Sequence, residues 1–179
     1  MKECEQTKGL SILNHGISVN KYFHDLRNHI LNNEHLKFEW KIPDWIYNKN
    51  LWENLENIKD INIYQIFHDC GKPFCLEIDS EGKRHFPNHA EISSKIWFDL
   101  TNNKLQSDLI AHDMDIHLLK SEQLEEFQKL PYHITLLITG LCEIHSNASM
   151  FGGISSDSFK IKWKKINKIG KKINENKGE

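Results

Sequence analysis

Phe67-His68-Asp69-Cys70-Gly71-Lys72-Pro73 decides how the rest of the chain is read. Ahead of it, Ile63, Ile66, Phe67 and Cys70 recur at helical spacing, and Gly71 with Pro73 two residues beyond predicts the stop. Neighbouring residues on a helix point about 100° apart, yet at a last turn an imidazole and a carboxylate can reach one ion from two sides. Lys72 follows at once, where an ammonium group can hold a phosphate. A His-Asp dipeptide arises often by chance, so its neighbours matter. His85 and His89 lie four apart as the chain re-enters a helix, and His112-Asp113, with Asp115 and His117 behind it, offers a second cluster.

Outward from this stretch, apolar residues keep helical spacing almost everywhere. Val19, Tyr22, Phe23, Leu26 and Ile30 form one stripe, with Ser18 as the expected N-cap. Asn88 and Glu91 read as a capping box opening a helix with Ile92, Ile96 and Leu100 on one face. Leu105, Leu109, Ile110 and Ile116 give another stripe, and Leu124, Phe127 and Leu130 a short one. Ile134, Leu137, Leu141 and Ile144 mark the helix expected to be most buried, because its flanks are apolar too. Residues 76–86 alternate around Asp79-Ser80-Glu81-Gly82 and predict a β-hairpin. Residues 32–51, with Trp40, Pro43 and Trp45, read as a loop with some helix. The prediction is an all-α chain with one small hairpin: a single domain over 1–157, and an amphipathic helix over 158–179 docked on it. In that tail Phe159, Trp163, Ile166, Gly170 and Ile173 share a face, with lysines at 160, 162, 164, 165, 168, 171, 172 and 177 around it. The lysines read as a solvated face, or as a surface attracting the phosphates of a nucleotide or nucleic acid.

Composition narrows the function classes. The chain has 179 residues, enough for a core without disulfides, and 23 basic against 25 acidic side chains announce no strongly charged partner. Cys4, Cys70, Cys75 and Cys142 lack C-x2-C spacing and read as reduced, mostly buried thiols of an intracellular protein. The first residues carry no apolar signal run, and the longest apolar stretch, 130–142, is too short and polar to span a bilayer. A cytoplasmic protein without membrane partners is expected. Of the 11 histidines, His24, His35 and His133 read as structural, His145 as buried and satisfied by neighbours, and His117 with Asp115 as solvating a helix end. The five tryptophans read as packing rather than base-stacking.

Taken in order, several motifs resemble the HD-domain metal-dependent phosphohydrolases, closest to the HD domain associated with tRNA nucleotidyltransferases. They are His15-Gly16-Ile17-Ser18-Val19, the H-D-x-G-K-P run at 68–73, the hairpin, Phe86-Pro87-Asn88-His89-Ala90-Glu91, and Leu109-Ile110-Ala111-His112-Asp113-Met114. The resemblance covers residues from about 15 to about 150 and implies an HD-type helical bundle with a hairpin insertion after the 68–73 motif. It further implies a divalent ion held by His68, Asp69 and Asp113, with His89 and His112 at the place of a second ion. Lys72 would bind or polarise the phosphate while water activated by the ion attacks phosphorus. One position departs from the pattern: aligned on Ser18-Val19, a first histidine ligand is expected where Tyr22 stands. His15, His24 and His29 are the substitutes, and His15 is the one expected to fold back from just before the helix. Tyr22 and His145 join Lys72 as substrate-binding candidates, and Lys72 with Asp69 as the catalytic pair.

The function these readings imply is hydrolysis of a phosphomonoester or phosphodiester of a nucleotide or RNA end, a 2′,3′-cyclic phosphate included, by a phosphatase or phosphodiesterase. The metal, whether Mn, Mg, Ni, Co or Fe, and the oligomeric state are left open. The alternative is a degenerate HD domain that senses a nucleotide or RNA without turnover. A di-iron oxygenase on the same fold needs a fuller ligand set, and a purely structural protein has no use for a cation beside the His-Asp pair.

Overall fold

The computed structural model describes residues 1–175, so Lys177 of the basic tail lies outside the described residues. In chain order the helices are α1 (Ile12–Asn32), α2 (Lys49–Glu53), α3 (Ile58–Phe67), α4 (His89–Thr101), α5 (Lys104–Ala111), α6 (Asp115–Leu118), α7 (Leu124–Lys129), α8 (His133–Ser146) and α9 (Asp157–Glu175). Two antiparallel hairpins pair β1 (Glu5–Thr7) with β2 (Leu10–Ser11) and β3 (Glu77–Ile78) with β4 (Arg84–His85). The main elements are helical, as the periodicity predicts. Among the described residues no helix is long and apolar enough to cross a membrane. The chain forms two compact units: Met1–Ser18 with Asn57–Met114, and Val19–Glu56 with Asp115–Glu179.

In the first unit, Ser11 rather than Ser18 caps α1: its Oγ accepts the Asn14 N–H at 3.1 Å, which leaves Ser18 inside the helix. Asn57 caps α3 by accepting from the Asp60 N–H at 3.0 Å. The buried residues of α3 and its C-cap are Ile61, Tyr64, Gln65 and His68; of the expected stripe Cys70 is buried, while Ile63, Ile66 and Phe67 are half-buried. Polar groups went inside with partners for some of their atoms: the Tyr64 hydroxyl donates to Asp113 and His68 Nδ1 faces the Gln65 carbonyl. Gly16 of α1 lies against the backbone of Gln65 and Ile66, so close that a Cβ at residue 16 would meet the Ile66 carbonyl carbon at 2.8 Å. Only glycine lets α1 and α3 approach this far.

Helices α4 and α5 turn back on each other at Asn102, which adopts φ 52°, and Asn103, whose side chain caps α5. Their apolar stripes are only half right. Leu109 and Ile110 are fully buried, but Leu100 is 75% exposed, and the buried residue of α4 is Ser93. Three contacts lock α3 to the pair: Phe67 stacks on Trp97, Trp97 Nε1 donates to Gln106 Oε1, and Gln106 Nε2 donates to Asp60 Oδ1. The expected hairpin is present, with Glu77 opposite His85 and Ile78 opposite Arg84. Asp79 closes it by accepting the Glu81 and Lys83 N–H groups, and Gly82 supplies φ +77°.

In the second unit α8 is the centre, and all its residues except His133, Glu143 and Ser146 are buried. Helices α6, α7 and α9 pack on it. Helix α9 buries Phe159, Ile166, Gly170 and Ile173 of the face read from the sequence, with Ile169 added and Trp163 half-buried. Gly170 is needed because the ring of Trp45 occupies the space a Cβ would fill. The five tryptophans of the chain each donate the indole N–H internally: Trp40 to Asp25, Trp45 to Asn167, Trp52 to the Ile46 carbonyl, Trp97 to Gln106 and Trp163 to the Lys41 carbonyl. They hold loops to helices, a packing role.

Candidate metal centre

The site is built where α3 runs out. His68 is the C-cap, and short backbone bonds then follow one another: Cys70 N–H to Phe67 O, Lys72 N–H to Asp69 O, and Phe74 N–H to Gly71 O. Such i,i+3 turns eclipse side chains three residues apart, so Asp69 and Lys72 face the same way. Lys72 Nζ lies 2.6 Å from Asp69 Oδ2 and donates a second bond to Gln6 Oε1 at 2.9 Å. Below it is the ring of Phe86, with the ammonium 5.2 Å from the centroid. Lys72 is only 6% exposed, and Gln6 and Phe86 beside it are half-buried.

His15, on the first turn of α1, His68 and Asp69 each offer one ligand atom, and those atoms lie within 4.8 Å of one another. His68 Nε2 is 3.2 Å and His15 Nε2 3.7 Å from Asp69 Oδ2. His89, the first residue of α4, brings its Nε2 to 3.6 Å from Asp69 Oδ1. Backbone carbonyls orient two of these rings: His68 Nδ1 lies 2.8 Å from Gln65 O, and His89 Nδ1 2.9 Å from Phe86 O. An Nδ1–H donated to a carbonyl leaves the lone pair on Nε2, the form that ligates metals.

Electrostatics favour the ionised carboxyl. Burial alone would raise the pKa of Asp69, but with no ion bound a protonated His68 and the Lys72 ammonium, with His15 adding to them, hold it well below the ordinary aspartate range; an ion would take the place of the His68 proton. Among the described residues, Asp69 Oδ1 is buried without a hydrogen-bond partner. An orphaned carboxylate oxygen beside imidazole nitrogens is an N/O donor set that fits a divalent first-row metal.

Not every expected ligand joins this group. Asp113, just past α5, is buried, and its Oδ1 accepts the Tyr64 hydroxyl at 2.6 Å; it stands outside the trio. The trio is completed by His15, which is not ahead of the helix as expected but on its first turn. His112 is the half-buried C-cap of α5. The remaining two candidates belong to the second unit. Tyr22 stacks on Phe38 and meets Trp40 edge-on; burial, then Glu39 and Asp25, raise its hydroxyl pKa. His145 uses both ring nitrogens, with Nδ1 2.7 Å from Leu141 O and Nε2 accepting the Lys41 N–H at 3.1 Å, which gives it a place in the core. His29 faces the Glu34 carbonyl through Nδ1. His117 pairs with Glu143 at 2.7 Å rather than solvating a helix end.

Sequence reasoning missed Gln6, Phe86 and Ser93 as supports of the site. Gln6 arrives on the β1–β2 hairpin, whose one signal is Gly9 at φ +82°. Ser93 Oγ accepts the Gly71 N–H at 2.8 Å, and a Cβ at residue 71 would collide with Ser93, so the 68–73 loop docks on α4 through that glycine. Burial pushes the Cys70 thiol up to about 11 despite its hydrogen bond to the Ser93 carbonyl, and Cys70 is not in the ligand trio. No family model, curated protein or solved structure matches the chain.

Proposed function

We propose that the chain is an HD-type metal-dependent phosphohydrolase acting on a phosphate ester of a nucleotide or RNA end. One observation carries this reading: three buried ligand atoms from His15, His68 and Asp69 converge, with the Lys72 ammonium on the same carboxylate. Asp69 and the two histidines would hold the ion, and His89 stands next to Asp69 as a further donor. A divalent ion there supplies Lewis-acid polarisation and lowers the pKa of water. The chain's own groups do the rest. Asp69 stays ionised at neutral pH, the backbone carbonyls of Gln65 and Phe86 keep the rings aimed, and Lys72 sets a fixed positive charge where a phosphoryl oxygen gains charge.

A second reading, binding without turnover, is favoured by one fact. Lys72 already supplies Asp69 with a buried positive charge at 2.6 Å, so an ion is not needed for neutrality. The test of both is a screen of the full chain with Mn2+, Mg2+, Ni2+ and Co2+ against bis(p-nitrophenyl) phosphate, nucleoside monophosphates and 2′,3′-cyclic nucleotides. The hydrolase reading predicts metal-dependent turnover that falls at least ~100-fold in Asp69→Asn. Saturable phosphate-ester binding with no turnover in any metal supports the second reading and ends the first.

A further inference from the structure

The lysines of α9 are not absorbed by the metal centre. In the second unit they line a cavity of about 370 Å³ whose apolar wall is Leu119, Leu124 and Ile169. Lys164, Lys168 and Lys172 line it at four-residue spacing along α9, and Lys120 and Lys165 line it too. Lys165 is pinned there by a hydrogen bond from its ammonium to the His117 carbonyl. Lys164, Lys168 and Lys172 are exposed, and among the described residues no carboxylate forms an ion pair with any of them. Lysines at i, i+4 and i+8 repel one another along a helix, a cost that an anionic ligand removes.

We infer that this cavity is a binding groove for a single-stranded phosphodiester backbone. Successive lysines of the row lie about 6 Å apart along the helix axis, a spacing that an extended strand can match phosphate for phosphate. A row about 12 Å long exceeds what the phosphates of one free nucleotide reach. The cations border a concavity, which a strand can enter and the flat face of a bilayer cannot. The Leu119-Leu124-Ile169 wall offers apolar contact to sugars and base faces without reading sequence. The inference rests on α9 and its partners alone and stands or falls apart from the hydrolase reading.

The test is fluorescence anisotropy of the full chain with a fluorescein-labelled oligouridylate of about 12 nucleotides, titrated with KCl. Three lysine–phosphate contacts predict that log K falls with log salt with a slope steeper by about 2 than in the variant carrying Lys164→Gln, Lys168→Gln and Lys172→Gln. That variant should bind at least ~10-fold more weakly at 50 mM salt, whereas Lys49→Gln with Lys95→Gln should change nothing. Chelation with EDTA should leave binding intact, which separates the groove from any metal chemistry. If the triple variant loses its fold by circular dichroism, Lys168→Gln alone should reduce the slope by about 0.7. An unchanged slope, no oligonucleotide binding by the wild type at the lowest salt, or lysine-dependent capture by phosphatidylserine vesicles without oligonucleotide binding would each overturn the inference.

Discussion

Replacing Gly16 by alanine sets two effects of opposite sign against each other. Residue 16 is inside α1, where alanine is intrinsically favoured over glycine by about 1 kcal/mol. The new Cβ, however, would lie 2.8 Å from the Ile66 carbonyl carbon, 2.9 Å from the Gln65 oxygen, and closer still to the Ile66 oxygen. Cβ atoms essentially never approach under 3.0 Å, and backbone carbonyls cannot rotate away. The helices must separate by about 0.5–1 Å, an overpacking cost at the upper end of roughly 1–3 kcal/mol. The net expectation is a loss of about 1–2 kcal/mol, or roughly 2–8 °C in melting temperature for a chain of this length. His15 adjoins Gly16, so its Nε2 leaves the neighbourhood of Asp69, and ligand geometry tolerates only about 0.2 Å. Calorimetric titration with Mn2+ should show at least ~10-fold weaker binding in Gly16→Ala than in Lys21→Ala, a change at an exposed position of the same helix. A Gly16→Ala protein that melts at or above the wild-type temperature and binds metal normally would refute the close approach of α1 to α3.

Two further outcomes follow from buried charge. Burial lowers the pKa of His145 to about 4, against 6.5 for the free side chain. Between those values the unfolded chain binds the proton and the folded chain does not, so stability is full above pH 6.5 and falls as pH drops toward 4, by at most roughly 3 kcal/mol. Urea melts of wild type and His145→Gln should differ in slope only within that window; parallel curves would mean the imidazole is solvated. Lys72→Met removes the ammonium from buried Asp69 and should cost about 3–5 kcal/mol, partly restored by millimolar Mn2+. Thermal melts with and without the ion check this, and a variant as stable as wild type would show that Asp69 does not depend on Lys72.

What the sequence made legible follows from what periodicity records. Helix α8 is apolar on nearly every face and α9 on one, and both were read correctly because burial there is hydrophobic. The 76–86 hairpin was legible through Asp79 and Gly82, whose turn chemistry is local. Helix α3 was read on a face that only Cys70 shares with the buried one, since Gln65 and His68 are buried and polar, and no hydrophobic pattern reports that. The start of α4 is marked by Asn88, but through φ 52° and not a side-chain cap, so a capping box described the right residue for the wrong reason. His15 and Tyr22 differ by seven residues, about two helical turns, so they share a face. A pattern matched to that face identifies its direction but not which turn meets the site. The β1–β2 strands, too short to alternate, gave no warning that Gln6 would hold Lys72.

The proposed activity requires His15, His68 and Asp69 to grip a divalent ion. Metal content after equilibrium dialysis of the full chain against Mn2+, read by mass spectrometry, tests it most directly. Stoichiometric metal is expected in the wild type and in Tyr22→Phe, and loss of it in His15→Ala and in Asp69→Asn. A wild type that retains no ion, or a His15→Ala protein that retains it in full, would mean that these three residues do not form a metal site.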